Sequence, residues 1–335
     1  MSKAVTPQEF FEDLWAARGS LALMAAIDLD VFTAIAEGHK TAGDIAKAVK
    51  GSKRGVERLL DSVTGLGYLA KRGSQYGLTP FADACLVRNR PGYLGALAEE
   101  SKMTMTGWMQ LADVIRSGHP VTSIDAEQGR DFFPKLVRAI FPLMNNSARV
   151  LVGSLPQAKL RKIERILDVA AGSAAWSLPF AQALPNARVT VLDFPEVIPV
   201  AREFAGKFGV AARFDYLEGN IRQIDFGQKQ YDLVILGNII HSEGEKWGKI
   251  LVRKSHRALK PGGMLVIAEM VPNDTRTGPV FPLLFGLNMI LHTNEGDVFT
   301  LAEYRQWLKR AGFSNIKTVE AQGPSPVILA TRAAR

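Results

Sequence analysis

One stretch of the sequence, residues 165–197, restricts the fold of the whole chain more than any other. It begins with a short apolar run at 166–170, whose length and β-branched residues are typical of a buried strand. Small residues follow, then a helical pattern over 176–184 and a second strand over 188–192 that leads into Asp193. This order of strand, small-residue turn, helix, strand and carboxylate predicts the first half of a doubly wound nucleotide-binding sheet.

The turn between these strands narrows the choice of nucleotide. A dinucleotide fold needs Gly-x-Gly-x-x-Gly, so that bare backbone can approach a pyrophosphate, but residues 170–174 contain only Gly172. A ligand without phosphate is better tolerated, and S-adenosylmethionine is such a ligand, with cationic groups that Asp168 would face. Asp193 follows Asp168 at a spacing that suits a carboxylate gripping ribose hydroxyls. An ordinary βαβ unit without a nucleotide is the alternative at this point.

Length and composition limit the class of protein. A chain of 335 residues allows two or three domains, and 47% hydrophobic with 22% charged residues is ordinary for a globular chain with a large core. The single cysteine, Cys85, excludes an intramolecular disulfide and a cysteine-based zinc cluster. The first residues lack the apolar core of a signal peptide, and the longest apolar stretch, 280–291, is too short and interrupted to cross a bilayer. We therefore expect a cytoplasmic protein without a metal.

The charge pattern gives little support to a nucleic-acid partner. The formal net charge is +8, from 41 basic and 33 acidic residues. The two signs are interspersed along the chain with no block of like charge, which is typical of a solvated surface.

The N-terminal segment, residues 1–95, is predicted to be mainly helical. Apolar residues recur there at helical spacing, and a helix over 53–66 has a clear apolar face. Two short strands at 68–70 and 75–78 follow as a hairpin. Three helices and a hairpin predict a winged helix.

A winged helix has two common uses, DNA binding and dimerisation. Lys53, Arg54 and Arg58 would lie on the recognition helix, but Glu57 and Asp61 dilute their charge. A specific DNA reader should show a denser basic surface, and the apolar first helices need a partner surface. We therefore favour dimerisation and keep DNA binding as the alternative.

The middle segment, residues 96–156, is a second helical stretch in which methionines and aromatic residues crowd together. Polarizable and aromatic side chains can wall a pocket for a planar ligand, although such a stripe is more often core. The prediction of a pocket rests on Met103, Trp108, Phe141 and Met144.

The C-terminal segment, residues 157–335, alternates strands and helices, which predicts a parallel sheet. Polar residues and a glycine come at or just beyond the ends of its strands: Asp193, Asn220, Gly237, His241 and Glu269. Because ligands of such sheets bind outside the carboxyl ends of the strands, we expect these residues to form one site.

The sequence resembles a known family, the S-adenosylmethionine-dependent O-methyltransferases of the caffeic acid, acetylserotonin and hydroxyneurosporene type. The segments that carry the resemblance are LDVAAGSAAW, LDFPEV, EGN, ILGNIIH, LKPGGMLVIAEMV and TLAEYRQWLKRAGF. The resemblance implies a class I methyltransferase, Rossmann-like α/β fold whose sheet has seven strands, the last antiparallel. It also implies a preceding winged-helix dimerisation domain, a homodimer, and a small-molecule substrate.

The resemblance also implies roles for individual residues. Those expected to bind S-adenosylmethionine are Asp168, Ala170, Gly172, Asp193, Phe194, Asn220, Ile221 and Gly237. Among them, Asp193 would bind the ribose, Phe194 would lie beside the adenine, and Asn220 with Ile221 would hold it.

The catalytic residues implied by the resemblance are His241 as general base, with Glu269 and Glu303 as flanking acids. The chemistry of methyl transfer independently requires such a base, since a phenol or enol oxygen must lose its proton as it attacks the methyl carbon. An imidazole can take that proton. A carboxylate on the other ring nitrogen fixes the tautomer. Glu303 has the weaker case, because an acid is favoured near a helix start anyway.

The substrate is expected to be a medium-sized, largely apolar molecule, aromatic or polyketide-like, that carries a hydroxyl. The candidate pocket residues are Met103, Trp108, Phe141, Met144, Phe285, Asn288, Met289 and His292.

The sequence departs from the family pattern at several places. Family members usually have glycine where Ala170 and Ala171 stand, aspartate in place of Asn220, and His-Asp-Trp where this chain has His-Ser-Glu at 241–243. The methyl groups of Ala170 and Ala171 leave less space for the cofactor at this turn. Some relatives bind the cofactor yet perform hydroxylation, decarboxylation or pericyclic chemistry, which is the alternative to methyl transfer.

Overall fold

The computed structural model describes residues 5–123 and 132–333. The chain divides into two compact units, Met1–Thr104 and Met105–Arg335. The three segments expected from the sequence, 1–95, 96–156 and 157–335, remain a proposal about which parts of the chain act together.

The first unit is helical with one hairpin, as predicted. Its elements are α1 (Pro7–Asp28), α2 (Val31–Ala36), α3 (Ala42–Ala48), α4 (Lys53–Gly65), β1 (Leu69–Arg72), β2 (Gln75–Leu78), α5 (Pro80–Cys85) and α6 (Ala96–Trp108), which continues into the second unit. Strands β1 and β2 pair antiparallel, with Leu69 opposite Leu78. Thr41 and Ser52 accept backbone N–H groups at the starts of α3 and α4, which is why these helices begin there.

Helix α1 is unusual because its large apolar side chains face outward. Five of them are at least half exposed in the single chain, namely Phe10, Phe11, Leu14, Trp15 and Leu21. The helix buries Met24, Ala26 and Ile27 near its C-terminal end. A helix with apolar residues on this scale at its surface is typical of a contact surface for another protein.

One cation of the predicted recognition helix, Arg58, is engaged within the unit. Arg58 approaches Glu57 at 3.3 Å and Asp61 at 3.4 Å. Asp61 also accepts a hydrogen bond from Lys71 at 2.6 Å. These pairs reduce the positive potential that DNA binding would need.

The second unit contains a seven-stranded sheet with helices on both sides. Its helices are α7 (Leu111–Ser117), α8 (Phe133–Ala139), α9 (Phe141–Ser154), α10 (Gln157–Leu160), α11 (Leu178–Ala183), α12 (Ile198–Lys207), α13 (Ile240–Ala258), α14 (Val280–His292) and α15 (Leu301–Arg310). Its strands are β3 (Arg165–Val169), β4 (Arg188–Asp193), β5 (Phe214–Glu218), β6 (Tyr231–Gly237), β7 (Leu259–Ala268), β8 (Phe313–Val319) and β9 (Val327–Arg332).

The strand order is β5-β4-β3-β6-β7-β9-β8. Strands β3 to β7 are parallel to one another, and β9 runs antiparallel to both β7 and β8. The predicted antiparallel last strand is thereby confirmed. The chain leaves β3 toward β4 on one side and returns to β6 on the other, so the switch point of the sheet lies between β3 and β6.

Two apolar clusters cover the two faces of this sheet. Ile166 and Leu233 belong to one cluster, and their neighbours Leu167 and Val234 belong to the other. Residues that alternate between faces and are all buried are typical of a parallel sheet covered by helices on both sides.

Helix α13 starts earlier than the sequence pattern indicates. The hydrophobic pattern of the sequence predicts a helix over 246–259, but the structure begins it at Ile240 and interrupts it at Gly244, where φ is 73° and ψ is 179°. A side chain at this position would collide with the backbone oxygen of Glu295. Gly244 therefore separates a first turn, which carries His241, from the long amphipathic part of the helix.

Candidate active site

The centre of the site is a buried pair of side chains at the carboxyl edge of the sheet. His241 lies in the first turn of α13, and Glu269 directly follows β7. The Nδ1 atom of His241 and the Oε2 atom of Glu269 are 2.6 Å apart. Both residues are less than one-tenth exposed. Adjacent parallel strands thus bring together the histidine and one of the acids that the sequence analysis paired.

The second carboxylate oxygen of Glu269 caps helix α13. Its Oε1 atom accepts N–H groups from Ile239 at 2.8 Å and from Ile240 at 2.6 Å, with that of His241 further away at 3.4 Å. An anion at these N–H groups is stabilised by the hydrogen bonds and by the helix dipole. One carboxylate therefore fixes both the ring and the backbone of the histidine.

Other elements hold the first turn of α13 from the opposite side. The backbone oxygen of His241 accepts an N–H from Asp297 at 2.9 Å. The Phe285 ring of α14 meets the His241 ring edge to face, with centroids 5.0 Å apart. The imidazole is thus fixed in position before any ligand arrives.

Asp193, at the end of β4, is the second buried acid at this edge. Its Oδ2 atom accepts the N–H of Gly172 at 2.7 Å, and its Oδ1 atom accepts that of Phe194 at 2.7 Å. Burial raises the pKa of Asp193 to about 6, although both backbone hydrogen bonds lower it. The Phe194 ring beside it is 40% exposed.

The turn after β3 keeps a glycine-type backbone although it contains two alanines. Positive φ values recur at every second residue, with 51° at Ala170, 58° at Gly172 and 58° at Ala174. A side chain at Gly172 would in addition collide with Val137. The left-handed conformation costs an L-residue roughly 1–2 kcal/mol, so this turn holds strain at two positions.

Asp168 lies in β3, beneath this turn, and is almost completely buried. It accepts a hydrogen bond from the Ser177 hydroxyl at 2.5 Å. Burial raises the pKa of Asp168 to about 7, and the charge of Asp193 adds to the rise, while the Ser177 hydrogen bond opposes it. Its contact with Ser177 ties the strand to the chain that leads into α11.

The loop after β5 is fastened to α13 by two cations. Arg222 donates to Glu243 at 2.7 Å, and its backbone N–H donates to the side chain of Asn220 at 2.8 Å. Lys254 donates to the backbone oxygens of Ile221 at 2.5 Å and Ile224 at 2.6 Å. The predicted adenine loop is therefore braced against the helix that carries His241, which the sequence pattern does not reveal.

Gly237 packs closely against a tryptophan. A side chain there would collide with the indole ring of Trp176. Trp176 is 7% exposed, and its Nε1 donates to Asn238 at 3.1 Å. Packing against Trp176 thus requires a glycine at 237, and the binding of cofactor by Gly237 stays a prediction.

Glu303 is engaged away from the histidine. Its carboxylate accepts the backbone N–H of Thr300 at 2.7 Å and pairs with Arg276 at 3.1 Å, in a capping box at the start of α15. In the described part of the chain, no hydrogen bond joins it to His241. Its role as a flanking acid remains a prediction, and its contacts are those of a helix cap.

Two of the predicted pocket residues contact the apolar core. Phe141 is buried and packs against Phe204, with ring centroids 4.0 Å apart, and against Phe208. Met144 packs on the same apolar cluster and also lines a small cavity that Glu269 borders. A role in the acceptor pocket stays a prediction for both residues, because helical spacing of aromatic and methionine residues does not distinguish a pocket wall from a helix–sheet contact.

The remaining pocket candidates divide between the units. Met103 is exposed in the first unit, and Trp108 is half-buried at the end of α6. Phe285, Asn288, Met289 and His292 share helix α14, where Met289 and His292 are buried. Only Phe285 has a described ring contact with His241.

The described residues contain no group of three or more histidine, cysteine, aspartate or glutamate side chains arranged to hold a metal ion. Within residues 5–123 and 132–333, every helix falls short of the length and apolarity that a membrane span requires.

The fold and the site together define a class I methyltransferase.

Comparison with known proteins identifies the family. The model of the O-methyltransferase domain matches residues 108–314, and that of the O-methyltransferase dimerisation domain matches residues 14–88. The chain belongs to the O-methyltransferase family, as the sequence resemblance indicates, and is an S-adenosylmethionine-dependent enzyme.

Individual relatives extend over nearly the whole chain. A 3-hydroxy-5-methyl-1-naphthoate 3-O-methyltransferase of Streptomyces sahachiroi is 30% identical, over 90% of this chain and 88% of the relative. A tetracenomycin polyketide synthesis 8-O-methyl transferase of Streptomyces glaucescens is 28% identical, over 96% of both. A solved structure from Nostoc punctiforme, assigned provisionally as an O-methyltransferase, has a TM-score of 0.87 and 29% identity, covering 98% of this chain and 100% of its own.

The strained turn gives a prediction for stability. Ala170→Gly should raise the free energy of unfolding by about 0.5–1 kcal/mol, because the relief of left-handed strain exceeds the extra freedom of glycine in the unfolded chain. Ala174→Gly should gain less, because it also removes a fully buried methyl group. Urea denaturation measures the change. Ala171→Gly is the matched control: its φ is not positive, so it should lower stability. A loss of stability in all three variants would contradict this account of the turn.

Proposed function

We propose that the chain transfers a methyl group to a hydroxyl of a small, largely apolar, aromatic or polyketide-like acceptor, with His241 as the general base. The observation that carries the proposal is the 2.6 Å pair of His241 Nδ1 and Glu269 Oε2 at the carboxyl edge of the sheet. The names of the two Streptomyces relatives, which act on a naphthoate and in polyketide synthesis, support this class of acceptor.

The pair prepares the imidazole for one proton transfer. The carboxylate of Glu269 accepts from Nδ1–H, so Nε2 has the free lone pair that can take the acceptor's proton. When that proton arrives, the positive ring lies against a carboxylate that is already in place. The side chains need little reorganisation during the proton transfer, because the N–H groups of Ile239 and Ile240 already donate to the other oxygen of this carboxylate.

The residues around the strained turn fit the methyl donor. The Asp193 carboxylate has accepted two N–H groups and still has lone pairs for ribose hydroxyls. Phe194 is partly exposed and offers an aromatic face for the adenine. The side-chain oxygen of Asn220 accepts the N–H of Arg222, and its NH2 group can donate hydrogen bonds to the adenine. When bound, the cofactor supplies an electrophilic methyl carbon, while this chain orients it and removes the acceptor's proton.

Two alternatives are less well supported. A relative that binds the cofactor without methylating would not need the buried His241–Glu269 pair. A DNA-binding regulator would need free cations on α4, but Arg58 is paired with acidic side chains there. Incubation with labelled cofactor and a panel of phenols separates methyl transfer from the first alternative, which predicts tight binding and no labelled product.

We further propose that the enzyme is a homodimer in which α1 forms part of the contact. Its exposed apolar residues, Phe10, Phe11, Leu14 and Trp15, lie in or next to the segment that matches the dimerisation model. Static light scattering reports the stoichiometry directly, and a monomer would contradict the proposal.

Glu269 and His241 give a paired prediction. Glu269→Gln should lower kcat by about 10- to 100-fold, because it weakens the hold on Nδ1 of His241. His241→Ala should lower kcat by about a hundredfold or more. Neither change should alter the Kd of S-adenosylhomocysteine, which isothermal calorimetry measures.

Glu303→Gln is the matched control for these variants. It weakens a helix cap and the pair with Arg276, so it should lower Tm slightly and leave kcat unchanged. A loss of kcat in Glu303→Gln as large as in Glu269→Gln would return Glu303 to the catalytic residues. Equal losses of kcat and cofactor binding in His241→Ala would show that His241 is structural.

Asp193 gives a prediction for pH. Its pKa is raised to about 6 by burial, and ribose hydroxyls are best accepted by the ionised carboxylate. The affinity for S-adenosylhomocysteine should therefore be full above the pKa and fall as the pH drops through about 6. Calorimetry between about pH 5 and pH 8 tests this. Asp193→Asn should bind weakly without a step near pH 6, and an affinity of the unchanged protein that rises on acidification would contradict the role of Asp193.

A further inference from the structure

The predicted adenine loop, residues 219–226, is held in place by a side chain that the sequence pattern does not single out. The structure describes every residue of this loop and gives it neither helix nor strand. Such loops are ordinarily among the more mobile parts of a fold. A mobile loop loses freedom when a ligand binds to it, and that loss weakens binding. Contacts that hold the loop in the free protein therefore strengthen binding.

Arg222 makes the contact in question. Its Nε atom donates to Oε2 of Glu243 at 2.7 Å, and the two side chains are 33% and 14% exposed. Its guanidinium carbon lies 4.9 Å from the ring centroid of Trp247, in a cation–π contact. Because the pair is largely shielded from water, salt screens it less than it screens an exposed ion pair.

The partners of Arg222 lie on both sides of the break in α13. Glu243 belongs to the first turn of the helix, and Trp247 follows Gly244, where the helix is interrupted. The first turn is itself fixed, because the Glu269 carboxylate accepts the first N–H groups of the helix. Arg222 is therefore held by a rigid part of the protein, and through it the loop is held as well.

The backbone of Arg222 sets the orientation of a predicted adenine contact. Its N–H group donates to Oδ1 of Asn220 at 2.8 Å. An N–H group needs an acceptor, and the oxygen is the acceptor of a side-chain amide. The NH2 group of Asn220 is thus the part of that amide left to meet a ligand. A shift of Arg222 would carry this group with it.

We propose that Arg222 is a positioning residue for the cofactor: its ion pair with Glu243 holds the predicted adenine loop in the binding conformation before the cofactor arrives. The inference rests on the proposed placement of the adenine at this loop. The resemblance to the family does not imply the pair, because family members usually have tryptophan at position 243.

The test measures binding of S-adenosylhomocysteine by calorimetry, without turnover. Arg222→Met and Glu243→Gln should each raise its Kd by about 3- to 10-fold, because the loop must then be ordered on binding. The double variant should lose no more affinity than either single variant, since both changes remove the same ion pair. Arg222→Lys, which keeps the charge but not the planar group, should retain part of the affinity.

Arg257→Met is the matched control. Arg257 also joins α13 to the loop, through Asp225, but this pair is exposed. Its loss should leave the Kd unchanged. An unchanged Kd in Arg222→Met and Glu243→Gln, additive losses in the double variant, or an equal loss in Arg257→Met would overturn the proposal. A lower Tm of the free protein with an unchanged Kd would show that the Arg222 pair is merely structural.

Asn220→Ala separates this proposal from the placement of the adenine. It should raise the Kd, because it removes the NH2 group that meets the ligand. A raised Kd in Asn220→Ala with an unchanged Kd in Arg222→Met would count against the positioning role alone. An unchanged Kd in Asn220→Ala would count against the proposed placement of the adenine, and with it against the reason given for Arg222.

Discussion

A single carboxylate, that of Glu269, holds the proposed active site together. It accepts hydrogen bonds from the ring of His241 and from the first N–H groups of α13, so strand β7, the helix and the His241 ring form one rigid group. The pair is buried, and a buried acid without these donors would be costly. The position of His241, the proposed base, is therefore a consequence of how the helix begins.

The same helix connects His241 to the predicted adenine loop. Its first turn reaches that loop through Glu243, which pairs with Arg222, and its later part reaches the loop through Lys254. Gly244 permits the bend between the two parts of the helix. Helix α13 thus joins the proposed base to the predicted cofactor loop at the carboxyl edge of the sheet, where ligands of this class of fold bind.

Much of this arrangement could be predicted from the sequence, because parallel strands end at a common edge. The approach of His241 to Glu269 follows from their positions after β6 and β7. Other features could not be predicted. The pattern gives no sign that alanines at 170 and 174 adopt a glycine conformation, that Gly237 makes room for Trp176, or that Phe141 packs on α12. These depend on contacts between residues distant in sequence, which periodicity does not encode.

The central claim is that Glu269 holds the Nδ1–H group of His241 and leaves Nε2 free to take a proton. Determining the tautomer of His241 tests this claim most directly. Nitrogen NMR of the protein with labelled histidine, bound to S-adenosylhomocysteine, distinguishes the two ring nitrogens of each imidazole, and the His241→Ala spectrum assigns the signals. We expect a proton on Nδ1, directed at Glu269, and an unprotonated Nε2. A proton on Nε2 with a bare Nδ1 would contradict it, because His241 could not then accept a proton from the acceptor while Glu269 holds its ring.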